Sequence, residues 1–187
     1  GIRMCKELFD VQACQVLDPT LLLSREDYQR FASTAPQSPG NLMVYVLDRT
    51  EEKDAFIAEF AEKRGLVPFY ANSKTEIPWN VDIPIGERKQ PPLENWLRGF
   101  ADAEFVLTDS FHACVFSILF HKPFGVFVNL ERGLSRIESL LRLLGWMDRC
   151  ITDATVDLDR SIDWKFIDNV LMQKAESSLE FLKQALN

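Results

Sequence analysis

Leu42 to Leu47 (LMVYVL) is apolar at every position, the signature of a strand covered on both faces and hence of a sheet held between two other layers. Behind it, Glu51 to Arg64 repeats apolar residues at helical spacing. Ala55, Phe56, Phe60 and Ala61 line one side, and Gly65 follows as a terminator. The same order of strand and helix recurs down the chain. Leu66 to Tyr70 reads as a strand, and Leu93 to Asp102 as a helix with Leu93, Trp96, Leu97 and Phe100 inward. Glu104 to Leu107 is a strand and Phe111 to Phe120 a helix, then Pro123 to Val128 a strand and Leu134 to Leu144 a helix stopped by Gly145. Cys150-Ile151 reads as a last short strand. No hairpin signal interrupts the series, so the pattern predicts an α/β fold, a three-layer Rossmann-like domain with a mostly parallel sheet and right-handed crossovers.

The flanks add less regular pieces. Ile2, Cys5, Leu8 and Phe9 follow helical spacing from the first residues, which predicts the tail of a preceding domain over residues 1–13. Cys14 to Leu17 reads as a short strand running into the turn Asp18-Pro19-Thr20, and Ser24-Arg25-Glu26-Asp27 as a capping box for a helix to Ala32. Residues 14–162 form the predicted Rossmann-like domain and 163–187 a closing helix. A chain of 187 residues holds one sizeable core and is too short for two full α/β domains. Asn72 to Pro92 is a long connection with Trp79 and the basic pair Arg88-Lys89, a length often associated with function.

A net charge of −7, with no stripe of Lys or Arg, makes nucleic acid and anionic membranes poor partners. No apolar stretch approaches the roughly 20 residues of a membrane span, and no signal peptide is evident. Cys5, Cys14, Cys114 and Cys150 are scattered without metal-ligand spacing, so they are read as reduced core residues of a cytoplasmic protein, with no metal site. Neither the dinucleotide nor the P-loop glycine fingerprint occurs.

In an open parallel sheet, ligands bind past the carboxyl ends of the strands. Asp48 and Arg49, Asn72 and Ser73, Asp109, Ser110 and His112, and Asn129, Glu131, Arg132 and Arg136 all follow predicted strands. His121 and Lys122 precede one and are excluded. Thr108-Asp109-Ser110-Phe111-His112 stands where strand becomes helix, so free backbone N–H groups and a partial positive charge meet one of the chain's two histidines. Arg132 and Arg136, four residues apart at the entry of the next helix, could clamp one anion through paired N–H bonds. The plainer readings stay open: Asp109 or Ser110 as a helix cap with His112 a surface imidazole, the arginines as solvated charge, and Cys114 as packed core.

The segments VLDPTLLL (Val16 to Leu23), ENWL (Glu94 to Leu97), TDSFHACVFSILFHKPF (Thr108 to Phe124), ERGLSRIESLL (Glu131 to Leu141) and LGWMDR (Leu144 to Arg149) resemble, in order, the C-terminal half of the polysaccharide pyruvyl transferase family. The resemblance implies a GT-B-like protein of two Rossmann-like halves, this chain being the C-terminal one and an N-terminal domain its partner. It implies transfer of pyruvate from phosphoenolpyruvate, as donor substrate and without a cofactor, onto hydroxyls of a lipid-linked or polymeric sugar acceptor in cell-surface or exopolysaccharide synthesis. The family's motif histidine falls on His112. The ketal product requires a proton donor, and His112 is read as that general acid or as a phosphate ligand, with Arg132 and Arg136 clamping phosphate or carboxylate, Ser110 supporting them, and Asp109 also counted as substrate-binding. The isolated chain is then expected to be inactive. Where the family has Gly-Thr after the histidine, this chain has Ala113-Cys114. The other readings are half of a GT-B nucleotide-sugar glycosyltransferase, with Glu131 gripping a ribose, and a non-catalytic ligand-binding module on the same scaffold.

Overall fold

The computed structural model describes residues 1–72, 90–128, 134–153 and 155–186, which form two compact units, Gly1–Ser24 with Asp163–Asn187, and Arg25–Ile162. In the larger unit, strands β1 (Leu42–Tyr45), β2 (Pro68–Tyr70), β3 (Phe105–Thr108), β4 (Phe124–Phe127) and β5 (Cys150–Ile151) make one sheet in the order β2-β1-β3-β4-β5. Every neighbouring pair is parallel. The expected alternation of strand and helix is realised, and the sheet is parallel throughout. β1, β2 and β4 are shorter than the runs read as strands, β1 ending at Tyr45 although Val46 stays buried, whereas β3 is shifted by one residue to end at Thr108 and β5 is as expected.

Period-two alternation sorts the strand side chains. Leu42, Val44, Phe105, Leu107, Phe127 and Ile151 join one cluster with Ile57, Phe60 and Ala61 of α3 (Glu51–Arg64). Met43 and Tyr45 face the other way: the Met43 side chain lies beside Gly99, and the Tyr45 ring meets Trp96 edge-on at 5.5 Å. On that second face, α2 (Arg25–Ala32), α4 (Leu93–Asp102) and α5 (Phe111–Leu119) meet through aromatic rings, with Phe116 at 4.8 Å from Tyr28 and 4.9 Å from Trp96. Phe124 of β4 meets Trp146, which follows α6 (Leu134–Leu144), edge-on at 5.9 Å. Over β4 the α3 face is closed by Leu158. A side chain at Gly125 would stand 2.7 Å from it and 2.9 Å from Ile151, so glycine is what lets that segment lie flat on the sheet.

The helix limits have local causes. Thr50 caps α3 by accepting the Lys53 N–H, and Gly65 ends it in the left-handed conformation at φ 61°. Arg149, buried ahead of β5, donates to the carbonyls of Leu158 and Arg160 and so ties down the strand's exit loop.

The smaller unit contains α1 (Ile2–Phe9) and α7 (Trp164–Leu186). Cys14 to Leu17, expected as a strand, is not one: the Leu17 N–H donates to the Ser178 hydroxyl at 3.0 Å, not to a neighbouring strand. No residue of α1 is buried, and Leu8, Phe9, Phe166, Met172 and Leu186 are among the exposed large apolar side chains of this unit. Among the described residues no helix is long and apolar enough to cross a membrane.

Candidate active site

Strand order places the switch of direction between β1 and β3, the point of the carboxyl edge where open parallel sheets bind their ligands. The turn Thr108-Asp109-Ser110 stands there, and each residue is committed differently. Thr108, fully buried, donates its hydroxyl to the Tyr45 carbonyl and accepts the Ser110 N–H at 3.0 Å. Asp109 continues the parity of Leu107 and turns to the α3 face. Its carboxylate, with no side-chain exposure, accepts from the backbone N–H of Leu47 (2.7 Å) and Asp48 (3.0 Å) and from Lys53 Nζ (2.8 Å).

Ser110 and His112 belong to the other face and the open edge. Ser110 is the N-cap residue of α5, with extended backbone and no side-chain cap bond, so the cap reading holds for its position but not for its hydroxyl. Asp109 does not cap α5 either. His112 is exposed in the first turn, whereas Ala113 to Ile118 are buried behind it. An imidazole at the mouth of an uncapped helix end, above an apolar base, is placed to meet an incoming anion.

Arg136, exposed on α6, lays its guanidinium over the Phe111 ring, 5.0 Å from the centroid, and the Phe111 and His112 rings are 5.3 Å apart. The adjacency of β3 and β4 thus brings the third residue of α6 to the first turn of α5. Glu138 of the same helix lies 3.9 Å from Arg142. Arg132 and Glu131 lie outside the described residues, as do Ser73, Trp79, the Arg88-Lys89 pair and Asn129.

The remaining edge candidates are occupied by the protein itself. Asn72 donates to the Val46 carbonyl at 2.8 Å, and Arg49 pairs with Asp54 at 2.8 Å while covering the Tyr70 ring. Lys122, set aside on polarity, donates to the Ala101 carbonyl at the opposite end of the sheet. Cys114 is fully buried, and burial pushes its thiol far above the ordinary range, which fits core packing and not nucleophilic use. Cys150 is also buried, but Cys14 is exposed and Cys5 on α1 only half-buried, so the reading of all four cysteines as core residues holds for Cys114 and Cys150 and fails for the other two. Among the described residues no group of His, Cys, Asp and Glu could hold a metal ion.

Lys53 is the residue that sequence reading passed over. A signal existed: it is a cation in a first turn otherwise carrying Glu51, Glu52 and Asp54, the end where the helix dipole disfavours positive charge. A lysine there needs a specific anionic partner, and Asp109 is that partner.

Residues 3–131 match the family model described as polysaccharide pyruvyl transferase. Neither the curated proteins nor the solved structures gave a match.

Proposed function

The chain belongs to the polysaccharide pyruvyl transferase family, and from that premise we propose that it transfers the pyruvyl group of phosphoenolpyruvate to two hydroxyls of one sugar residue, forming a ketal. The observation that carries this reading is the exposed His112 imidazole at the uncapped start of α5, with the Arg136 guanidinium on the neighbouring Phe111 ring. Phosphoenolpyruvate bears a phosphate and a carboxylate. A helix N-terminus and a guanidinium are two devices by which proteins hold such groups without a metal.

In this mechanism His112 gives a proton to the enol methylene, which becomes the methyl group and leaves an oxocarbenium-like carbon. The first sugar hydroxyl adds to that carbon and releases its proton. Phosphate then departs, and the second hydroxyl attacks, loses its proton and closes the ring. Ser110 and the α5 N–H groups support the departing phosphate, and Arg136, with Arg132 from outside the described residues, holds an anionic oxygen. Asp109, expected to bind substrate, serves instead by fixing the turn, because its oxygens are already taken by three donors. The setting is a GT-B-like protein in which this domain faces an N-terminal partner domain, in the cytoplasm.

The test is phosphate release from phosphoenolpyruvate by the full-length gene product, with lipid-linked or polymeric sugar acceptors and with none. Release that requires an acceptor, with a pyruvate ketal in the product, supports the reading. No release with any acceptor removes it.

A further inference from the structure

Three hydrogen-bond donors on the α5 side of the sheet, those of Tyr45, Trp96 and Ser110, have no acceptor among the described residues. Tyr45, half-buried at the last position of β1, stands in register with Thr108 of β3. Its carbonyl accepts the Thr108 hydroxyl, but its own phenol donates to none of the described groups. The Trp96 ring, edge-on to Tyr45 at 5.5 Å, carries an indole N–H that is buried and unpaired. Ser110, two residues beyond Thr108 and only 8% exposed, leaves its hydroxyl unbonded at the start of the nine-residue helix α5. Buried polar groups are nearly always paired, and leaving one unpaired is costly, so a cluster of such donors marks a place for an acceptor brought by a ligand. Asp109 does not fill that place, because it turns to the α3 face and its charge is balanced by Lys53.

We propose that Tyr45 is a specificity-determining residue of this site, its hydroxyl donating to the carboxylate of a phosphorylated carboxylic acid whose phosphate lies at the start of α5. The identity of that acid rests on the transfer proposed above; the choice of residue rests on geometry alone. In the sheet β3 has β1 on one side and β4 on the other. Arg136 stands on the β4 side, over Phe111, and Tyr45 on the β1 side. The phosphate, with the greater charge, belongs with the guanidinium and the helix N–H groups, and the carboxylate falls to the neutral donors. Only an ester oxygen and one carbon separate phosphorus from the carboxyl carbon of phosphoenolpyruvate. Its two anionic groups therefore suit donors on adjacent strands, which lie about 4.8 Å apart. The phenol keeps the proton it donates: burial first, and then the Asp109 charge, raises Tyr45 above its ordinary value. A ligand with a phosphate alone leaves these donors unpaired, which is how a site built for a hydrogen bond rejects the analogue that lacks it. Tyr45 lies inside the apolar run Leu42 to Leu47, so sequence pattern counts it as strand and not as edge.

The experiment is calorimetric titration of the full-length gene product with phosphoglycolate, which carries both anionic groups, and with methyl phosphate, which carries one. The native protein should bind phosphoglycolate more tightly by about tenfold or more, the worth of one hydrogen bond to a charged acceptor. Tyr45→Phe should lose about tenfold in phosphoglycolate affinity and nothing in methyl phosphate affinity. Its Tm should stay at the native value, since the deleted hydroxyl has no partner among the described residues. With fluorotyrosine in place of Tyr45, the fluorine NMR line should move on addition of phosphoglycolate and stay in place with methyl phosphate. A merely structural role would weaken both ligands together. Equal loss for the two ligands, loss for methyl phosphate alone or no loss for either overturns the assignment, as does a native protein that holds phosphoglycolate no tighter than methyl phosphate. Binding that depends on Tyr45 without phosphate release from phosphoenolpyruvate removes the pyruvyl transfer and keeps the assignment. Turnover with an affinity ratio untouched by Tyr45→Phe does the reverse.

Discussion

Lys53 Nζ lies 2.8 Å from the Asp109 carboxylate, and through that contact the first turn of α3 holds the turn that begins α5. The Asp109 side chain is wholly buried while Lys53 keeps 14% exposure, so the carboxylate depends on its partner more than the ammonium does. Lys53→Met should destabilise the protein by about 3 kcal/mol, the low end of the range for broken buried pairs. In a domain of this size that is a fall of roughly 6–12 °C in Tm. Lys53→Arg should lose much less. A double-mutant cycle with Asp109→Asn, followed by thermal unfolding, should give a coupling of at least about 1 kcal/mol. Additive losses would mean that the pair holds nothing together.

Arg136 is exposed and rests on Phe111, and Glu138 of the same helix lies beside Arg142. Arg136→Ala should therefore change stability by less than about 0.5 kcal/mol, as for an ordinary surface position. It should weaken phosphoenolpyruvate binding by about tenfold, or ~1.4 kcal/mol, one charge-assisted bond. Arg136→Lys should restore only part of this, because ammonium can neither stack on the ring nor donate in a fork. Calorimetric titration of the two variants checks both statements.

The periodicity that made the sheet legible also contained the division of labour at its edge. Counting by two from Leu107 puts Asp109 on the α3 face, and counting from Thr108 puts Ser110 on the α5 face; His112 then falls on the open turn. The order of the strands was not written locally. Placing Arg136 beside Phe111 needs β3 and β4 to be neighbours, which is set by crossover handedness and by packing over the whole sheet. The role of Asp109 was hidden for the same reason. Its three donors come from Leu47, Asp48 and Lys53, more than fifty residues earlier, and only the odd placement of Lys53 among acids hinted at them. Cys14 to Leu17 misled because a short apolar run does not say whether a strand or a helix will cover it.

Cys114 supplies a pH test of the packed base beneath the site. Burial first, then the proximity of Cys150 and Asp109, raises the thiol far above its value of about 8.5 in an unfolded chain. The folded protein therefore keeps the proton while the unfolded chain releases it, so stability is complete below about pH 8.5 and declines as pH rises toward the folded value. Cys150, raised in the same direction by burial, adds to the slope. Urea unfolding at pH 7 and at pH 10 should show a loss for the native sequence that is smaller in Cys114→Ala. In the folded protein Cys14 should react with a maleimide at once and Cys114 only on unfolding. Equal alkaline loss in the variant would detach the effect from this thiol.

His112 bears the decisive prediction because its two possible roles separate stability from turnover. As an exposed residue at the start of α5 it buries little, so His112→Ala should leave Tm within the scatter of surface substitutions, about 0.5 kcal/mol. As proton donor to the enol methylene it should account for a factor of about 10² to 10⁴ in kcat. The KM for phosphoenolpyruvate should stay near the native value, since Arg136 and the helix end remain to bind the anion. A rise in KM at unchanged kcat would instead make the imidazole a phosphate ligand and move proton delivery to another group. His112→Gln keeps a hydrogen-bond donor of similar reach but cannot give up a proton at neutral pH, so it should bind phosphoenolpyruvate as the native protein does and turn over as poorly as His112→Ala. Steady-state kinetics of the three proteins in full-length form, beside their melting curves, distinguish these outcomes. Turnover retained by both variants would return His112 to the surface imidazole that the local sequence alone also allowed.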